Sequence, residues 1–217
     1  MEDSLSFIQS GFECQSLRQR IKLATQNLHD KLDTDPVGMK LMSKEATKAD
    51  YAYFLARTMG FLKPIEAKLL SHGVATLALP YWKPTEIRTT RIESDLQSLR
   101  ISRQEIETLP TMGRVPTILT AGHLMGVSYV IEGSMMGGLV MAKPVRKLLE
   151  LDSSSMSFFL PTEPKEIVRK FESFADALDS FAKCECDENE ALEAAIETFG
   201  LVESWFLTAN TPILRVD

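Results

Sequence analysis

Apolar residues in this chain recur every three or four positions over long stretches, the spacing of one buried helix face. Leu17, Ile21, Ala24, Leu28 and Leu32 form the first such stripe, opened by Ser16 and Gln19 in the spacing of a capping box. Thr47 and Asp50 open a second, with Tyr51, Phe54, Leu55, Thr58, Leu62, Ile65 and Leu69 on its buried side and Pro64 predicting a kink or break. A connection over Pro80–Pro84 leads to a third helix, with Pro84 near its first turn and Ile87, Ile92, Leu96 and Leu99 inward. Residues 100–115 are mixed, with Pro110 and Gly113 marking loop. A long apolar helix then runs to about Leu151, bending near Pro144. Pro164 to Ala182 makes another, burying Ile167, Val168, Phe171, Phe174, Leu178 and Phe181. The acidic run 185–190 favours a helix start, and Leu192, Ala195, Ile196, Phe199, Val202 and Phe206 carry the last helix to about Ala209. No stretch alternates as a strand would, and no repeat recurs at a fixed period. The pattern predicts an all-α, single-domain bundle of six or seven helices over residues 16–210, with a flexible leader at 1–15 and a tail at 211–217.

The long apolar helix has a composition that demands explanation. Its segment GHLMGVSYVIEGSMMGGLVMA, Gly122 to Ala142, holds five glycines, each costing roughly 0.8–1 kcal/mol against alanine inside a helix. At about 100° per residue, Gly122, Gly126, Gly133 and Gly137 fall on one face, a strip of bare backbone. Such a strip admits either a neighbouring helix at close range or a flat ligand laid on the backbone. Glu132 and two serines interrupt the run and argue against a membrane span. Periodicity alone does not choose between helix and ligand.

Composition narrows the partners. A net charge of −6 lacks the basic footprint of a nucleic-acid-binding chain. The acidic N-terminus shows no signal-peptide pattern, and an odd three cysteines give no disulfide framework; both point to the cytoplasm. Cys184 and Cys186 lie among acidic residues without a second Cys or His cluster, so they read as incidental rather than as a zinc or redox site. Of three histidines, His29 stands at the border of the first stripe, about 100° from its centre, able to point into a cleft. Lys22 and Thr25 lead up to it along one edge. His72 reads as a helix C-terminal cap and His123 as a rim residue.

Three runs together carry a resemblance: LRQRIKLATQNLHDKLD around His29, DYAYFLARTMGFLKPIEAKL, and YVIEGSMMGG. Their order and spacing over about residues 16–208 resemble the heme oxygenases, most of all the bacterial type that makes biliverdin, often for bacteriophytochromes. The resemblance implies heme as substrate and cofactor at once, cleaved with O2 to biliverdin, carbon monoxide and iron. It places His29 as axial iron ligand, and Gly133, Gly137 and Gly138 as the backbone over the oxygen-binding side. It places Lys22 near a heme propionate and Phe199 at the heme edge. Arg169 matches the first of two basic residues that other members turn toward the propionates, while Ser173 stands at the second. Some members carry an aspartate where Ser134 stands, so proton delivery falls to Ser134 and water, and Leu139 replaces a frequent glutamine. Without a G-x-G-x-x-G fingerprint after a strand, electrons must come from outside, from a ferredoxin or flavoprotein reductase by resemblance. A non-catalytic heme carrier or sensor of the same fold is the alternative reading.

Overall fold

The computed structural model describes residues 15–71 and 87–208, and over these it is wholly helical. Eight α-helices follow in order: α1 (Leu17–Asp33), α2 (Pro36–Leu41), α3 (Lys48–Leu69), α4 (Thr89–Ser98), α5 (Arg103–Glu107), α6 (Ala121–Leu149), α7 (Pro164–Phe181) and α8 (Glu185–Leu207), with a 3-10 turn at Ser153–Ser155. The expected leader, the tail, His72 and the Pro80–Pro84 connection lie outside the described residues.

Local chemistry starts these helices where the sequence reading places them. The hydroxyls of Ser16 and Thr47 accept from the third-residue amides of α1 and α3, and Gln19 and Asp50 reciprocate. A third capping box, Ser102 with Glu105, opens α5 inside the mixed stretch 100–115. Asp35 caps α2, with Pro36 at its first position. Neither Pro64 nor Pro144 ends its helix: α3 and α6 each run through. Ile87 lies before α4 and is exposed, because that helix begins at Thr89. Ala24 and Ile196 are also exposed, whereas Thr25 is buried; the inward face of α1 is rotated from Ala24 toward Thr25. The cysteines read as incidental are joined: Cys184 is the extended N-cap of α8, and its Cα lies 5.3 Å from that of Cys186, in range for the disulfide that links them.

Packing forms two connected cores. In the larger, Tyr51, Leu55, Leu62 and Ile65 of α3 meet Ile92 and Leu96 of α4, with Leu124, Val127 and Ile131 of α6. The smaller gathers Leu17 and Ile21 of α1, Met125 and Val130 of α6, Phe174 and Leu178 of α7, and Ala191 and Ala195 of α8. Thus α6 contributes to both cores. Its length and apolarity equal those of a membrane-crossing helix, yet half of its most apolar window is buried within the protein. At the far end of α8, the Trp205 ring N–H donates to the Arg57 carbonyl at 2.8 Å, and the Arg57 guanidinium stacks 3.7 Å over that ring.

Close approach of α6 to α8 explains two of the strip glycines. A Cβ on Gly126 would lie 2.1 Å from the Ala191 carbonyl oxygen, and one on Gly122 would lie 2.8 Å from that of Asp187. Backbone touches backbone there, and no side chain fits. We expect Gly126→Ala to destabilise the fold by about 1–3 kcal/mol, the usual cost of overpacking, in spite of alanine's better helix propensity. Urea denaturation decides it; a variant as stable as the parent would show that α6 and α8 separate freely.

Candidate functional site

Beyond Gly126 the glycine strip changes partner. A Cβ on Gly133 would find only the Phe171 ring, at 3.9 Å, and one on Gly137 would find nothing within 4 Å. Gly138 faces inward, where its Cβ would sit 3.1 Å from Phe159. One strip in the sequence is therefore two surfaces in space: a crossing at Gly122 and Gly126, and open backbone at Gly133 and Gly137. Val140 is 71 % exposed close to the same face, with Leu148 further along it, leaving an apolar track beside the bare backbone. Ser134 is exposed next to that track, and its hydroxyl donates to the Ile131 carbonyl at 2.7 Å, leaving its own lone pairs free to accept.

The histidine candidate stands on α1, whose charged side chains are tied to α8 and α7. Arg20 pairs with Glu188, Lys31 lies 3.0 Å from Glu203, and Arg18 meets Asp179. His29 is 56 % exposed, its Nδ1 lying 3.2 Å from a carboxylate oxygen of Asp33 one turn on. The Phe199 ring of α8 stands 6.2 Å from the imidazole, centre to centre. A carboxylate on Nδ1 favours the tautomer with the proton on that nitrogen, which leaves the lone pair on Nε2. Spacing makes Asp33 legible in the sequence as His29's partner four residues away; the sequence reading passed it over.

The remaining candidates divide. Thr25 is buried, and its hydroxyl donates to the Ile21 carbonyl at 2.8 Å. Lys22 is exposed on α1. Arg169 is exposed on α7, 3.6 Å from Glu166, a surface pair of little strength. His123 is engaged at the start of α6, where Thr120 lies 2.6 Å from its Nδ1 and also donates to Glu190. His29 and Phe199 stand together between α1 and α8, Gly133, Ser134 and Gly137 share one stretch of α6, and Lys22 and Arg169 are exposed on α1 and α7.

The heme oxygenase family model matches residues 15–208. No curated protein matches the chain. Among solved structures, the heme oxygenase from Leptospira interrogans superposes with a TM-score of 0.62 at 19 % identity, over 89 % of this chain and 99 % of that one. The NO- and CO-bound heme oxygenase from Neisseria meningitidis gives 0.62 at 20 % identity, over 90 % and 95 %. At such identities the structures speak for the fold, and the family model, spanning nearly the whole helical body, speaks for the lineage. The chain belongs to the heme oxygenase family, and is an oxidoreductase that degrades heme with O2.

Proposed function

We propose that His29 would hold the heme iron through Nε2 and that the open backbone at Gly133 and Gly137 would receive the heme. The observation that carries this reading is the split of the glycine strip. Where α8 is near, the missing side chains are filled by backbone; around Gly137 nothing fills them. A bare helix turn costs stability, and a ligand seated on it supplies the compensating contact. The iron of bound heme supplies oxygen activation, and the porphyrin is itself what is oxidised, to biliverdin with release of carbon monoxide and iron.

The chain's own groups then have distinct tasks. Asp33 fixes the His29 tautomer. The backbone at Gly133 and Gly137 limits the space above the ring, which directs oxidation to the substrate and excludes bulk water. Ser134 anchors a water through its free lone pairs and hands on a proton, the part an aspartate plays elsewhere in the family. Lys22 and Arg169 hold the propionates, and Arg169 exchanges its weak contact with Glu166 for a heme carboxylate. Gly138 packs on Phe159 and shapes the wall indirectly. Electrons come from a ferredoxin or flavoprotein reductase, and a bacteriophytochrome is the recipient class for the biliverdin. All of this takes place in the cytoplasm.

Three outcomes test these roles. His29→Ala should lose the imidazole–iron vibration of the ferrous protein and fall to background turnover, while His123→Ala keeps both. Asp33→Ala should weaken the complex by about 10–100-fold, the usual effect of losing a ligand's hydrogen-bond partner. Retention of the vibration in His29→Ala, read by resonance Raman, rejects the ligand assignment.

Gly137→Leu should lower heme affinity or oxygen binding while leaving the melting temperature of the apoprotein unchanged or higher, since nothing stands where its side chain would go. Hemin titration beside thermal melts reports both. A drop in apoprotein stability with unchanged affinity would assign Gly137 to helix packing, as at Gly126.

Lys22→Ala should weaken heme binding by roughly tenfold, one charge-assisted contact of about 1.5 kcal/mol, and spread the products from the α isomer over several biliverdin isomers. Chromatographic separation of the isomers checks it. A single unchanged isomer at unchanged affinity removes Lys22 from the propionate site.

A further inference from the structure

One buried cation reaches the oxygen-side helix from behind. Arg88 immediately precedes α4 and is 4 % exposed. Its backbone is held by Glu66, a buried carboxylate of α3, which accepts from the Arg88 amide at 2.7 Å and from the Thr89 hydroxyl at 2.7 Å. With its main chain fixed, the Arg88 side chain extends to α6. One guanidinium nitrogen donates to the Ile131 carbonyl, and the other lies 2.7 Å from a carboxylate oxygen of Glu132. Ile131 and Glu132 are the two residues before Gly133, and the Ile131 carbonyl is the same one that takes the Ser134 hydroxyl.

Stability alone gives little reason for this arrangement. A buried ion pair does about as well as an apolar contact of the same size, and Met135, Ile167 and Phe171 line the space beside it together with Thr162 and Lys170. A guanidinium on a helix carbonyl does something an apolar contact does not. It competes for the oxygen with the helix's own amide, tilts the carbonyl toward the donor, and so sets where the next turn lies. That next turn is Gly133–Gly137, where the lack of side chains leaves the backbone least constrained. The fork geometry binds both oxygens at once and fixes orientation as well as distance.

We infer that Arg88 is a positioning residue for the reaction: anchored by Glu66, it grips Ile131 and Glu132 and sets the height and tilt of the Gly133–Ser134 backbone over the substrate. The inference rests on the reading that this face receives the heme. Arg88 does not touch the substrate; its effect passes through α6.

The test compares Arg88→Ala, Arg88→Lys and the parent, each with and without hemin. In the apoprotein, amides of Gly133 to Met135 should exchange roughly tenfold faster in Arg88→Ala, while those of the α6–α8 crossing near Gly126 keep their rates. In the ferrous carbonyl complex the C–O stretch, which senses the surroundings of the ligand opposite the histidine, should shift and broaden, with the iron–imidazole vibration unchanged. Millimolar guanidinium should restore the carbonyl band of Arg88→Ala. Arg88→Lys keeps the charge but loses the fork, and should fall between the two; if Arg88→Ala does not fold, this variant carries the same comparison. Parental exchange rates at Gly133–Met135 and a parental carbonyl band overturn the inference and leave Arg88 a tie between α4 and α6. Should His29→Ala retain the iron–imidazole vibration, the site reading fails separately, and a faster exchange in the apoprotein then shows a latch without a role in heme chemistry.

Discussion

The structure depends on the contact between two helix backbones. Where Gly122 and Gly126 of α6 meet α8, a single added methyl would run into the carbonyls of Asp187 and Ala191. Contact this close aligns the two helices over their first turns and brings Ala191 and Ala195 into the core shared by α1, α6 and α7. Small residues are the condition for such an approach. The same helix α8 carries Phe199 to the side of His29 and takes the charged contacts of α1 at Glu188 and Glu203.

From that crossing, α6 divides its length between two tasks. Its first two turns are spent on α8. Its middle carries Gly133, Ser134 and Gly137 on the open side, while Ile131 and Met135 remain buried. Behind this middle the protein is tied rather than merely packed. Glu66 holds Arg88, and Arg88 holds Ile131 and Glu132. Nearby, the buried carboxylate of Asp95 on α4 accepts from the Ser157 and Phe158 amides, fixing the segment that presses Phe159 against Gly138. Burial pushes the Asp95 carboxyl up, and these donors pull it back toward the ionised form. Polar anchors on the closed side and bare backbone on the open side are complementary: an unsupported glycine turn wanders, and a supported one keeps a defined surface.

Much of this was legible in the sequence. Three-to-four-residue periodicity gave the all-α class, and the capping pairs Ser16–Gln19 and Thr47–Asp50 located helix starts to the residue, because caps are local chemistry. The motif runs around His29 and Gly133 gave the family, since order and spacing survive where overall identity to solved relatives is near 20 %. The short helices α2 and α5 were not found, being too brief to show a period. Pro64 does not break α3, and α6 runs on past Pro144 to Leu149, close to the expected end at about Leu151.

What the sequence determined by itself is the inventory: which segments are helical, which face of each is apolar, and that one helix carries a row of glycines near a fixed distance in chain from a histidine. Only the tertiary structure decided what each glycine is for. Helical geometry places Gly126 and Gly137 on one face as equivalents, and nothing within the helix distinguishes them. The difference arises from a neighbour sixty residues away in the chain, which covers one and leaves the other open. The same holds for Thr25, turned inward by the rotation of α1 on α8, and for Arg88, whose target lies more than forty residues downstream. Contacts of that range are set by the closure of the whole bundle, and no local pattern encodes them.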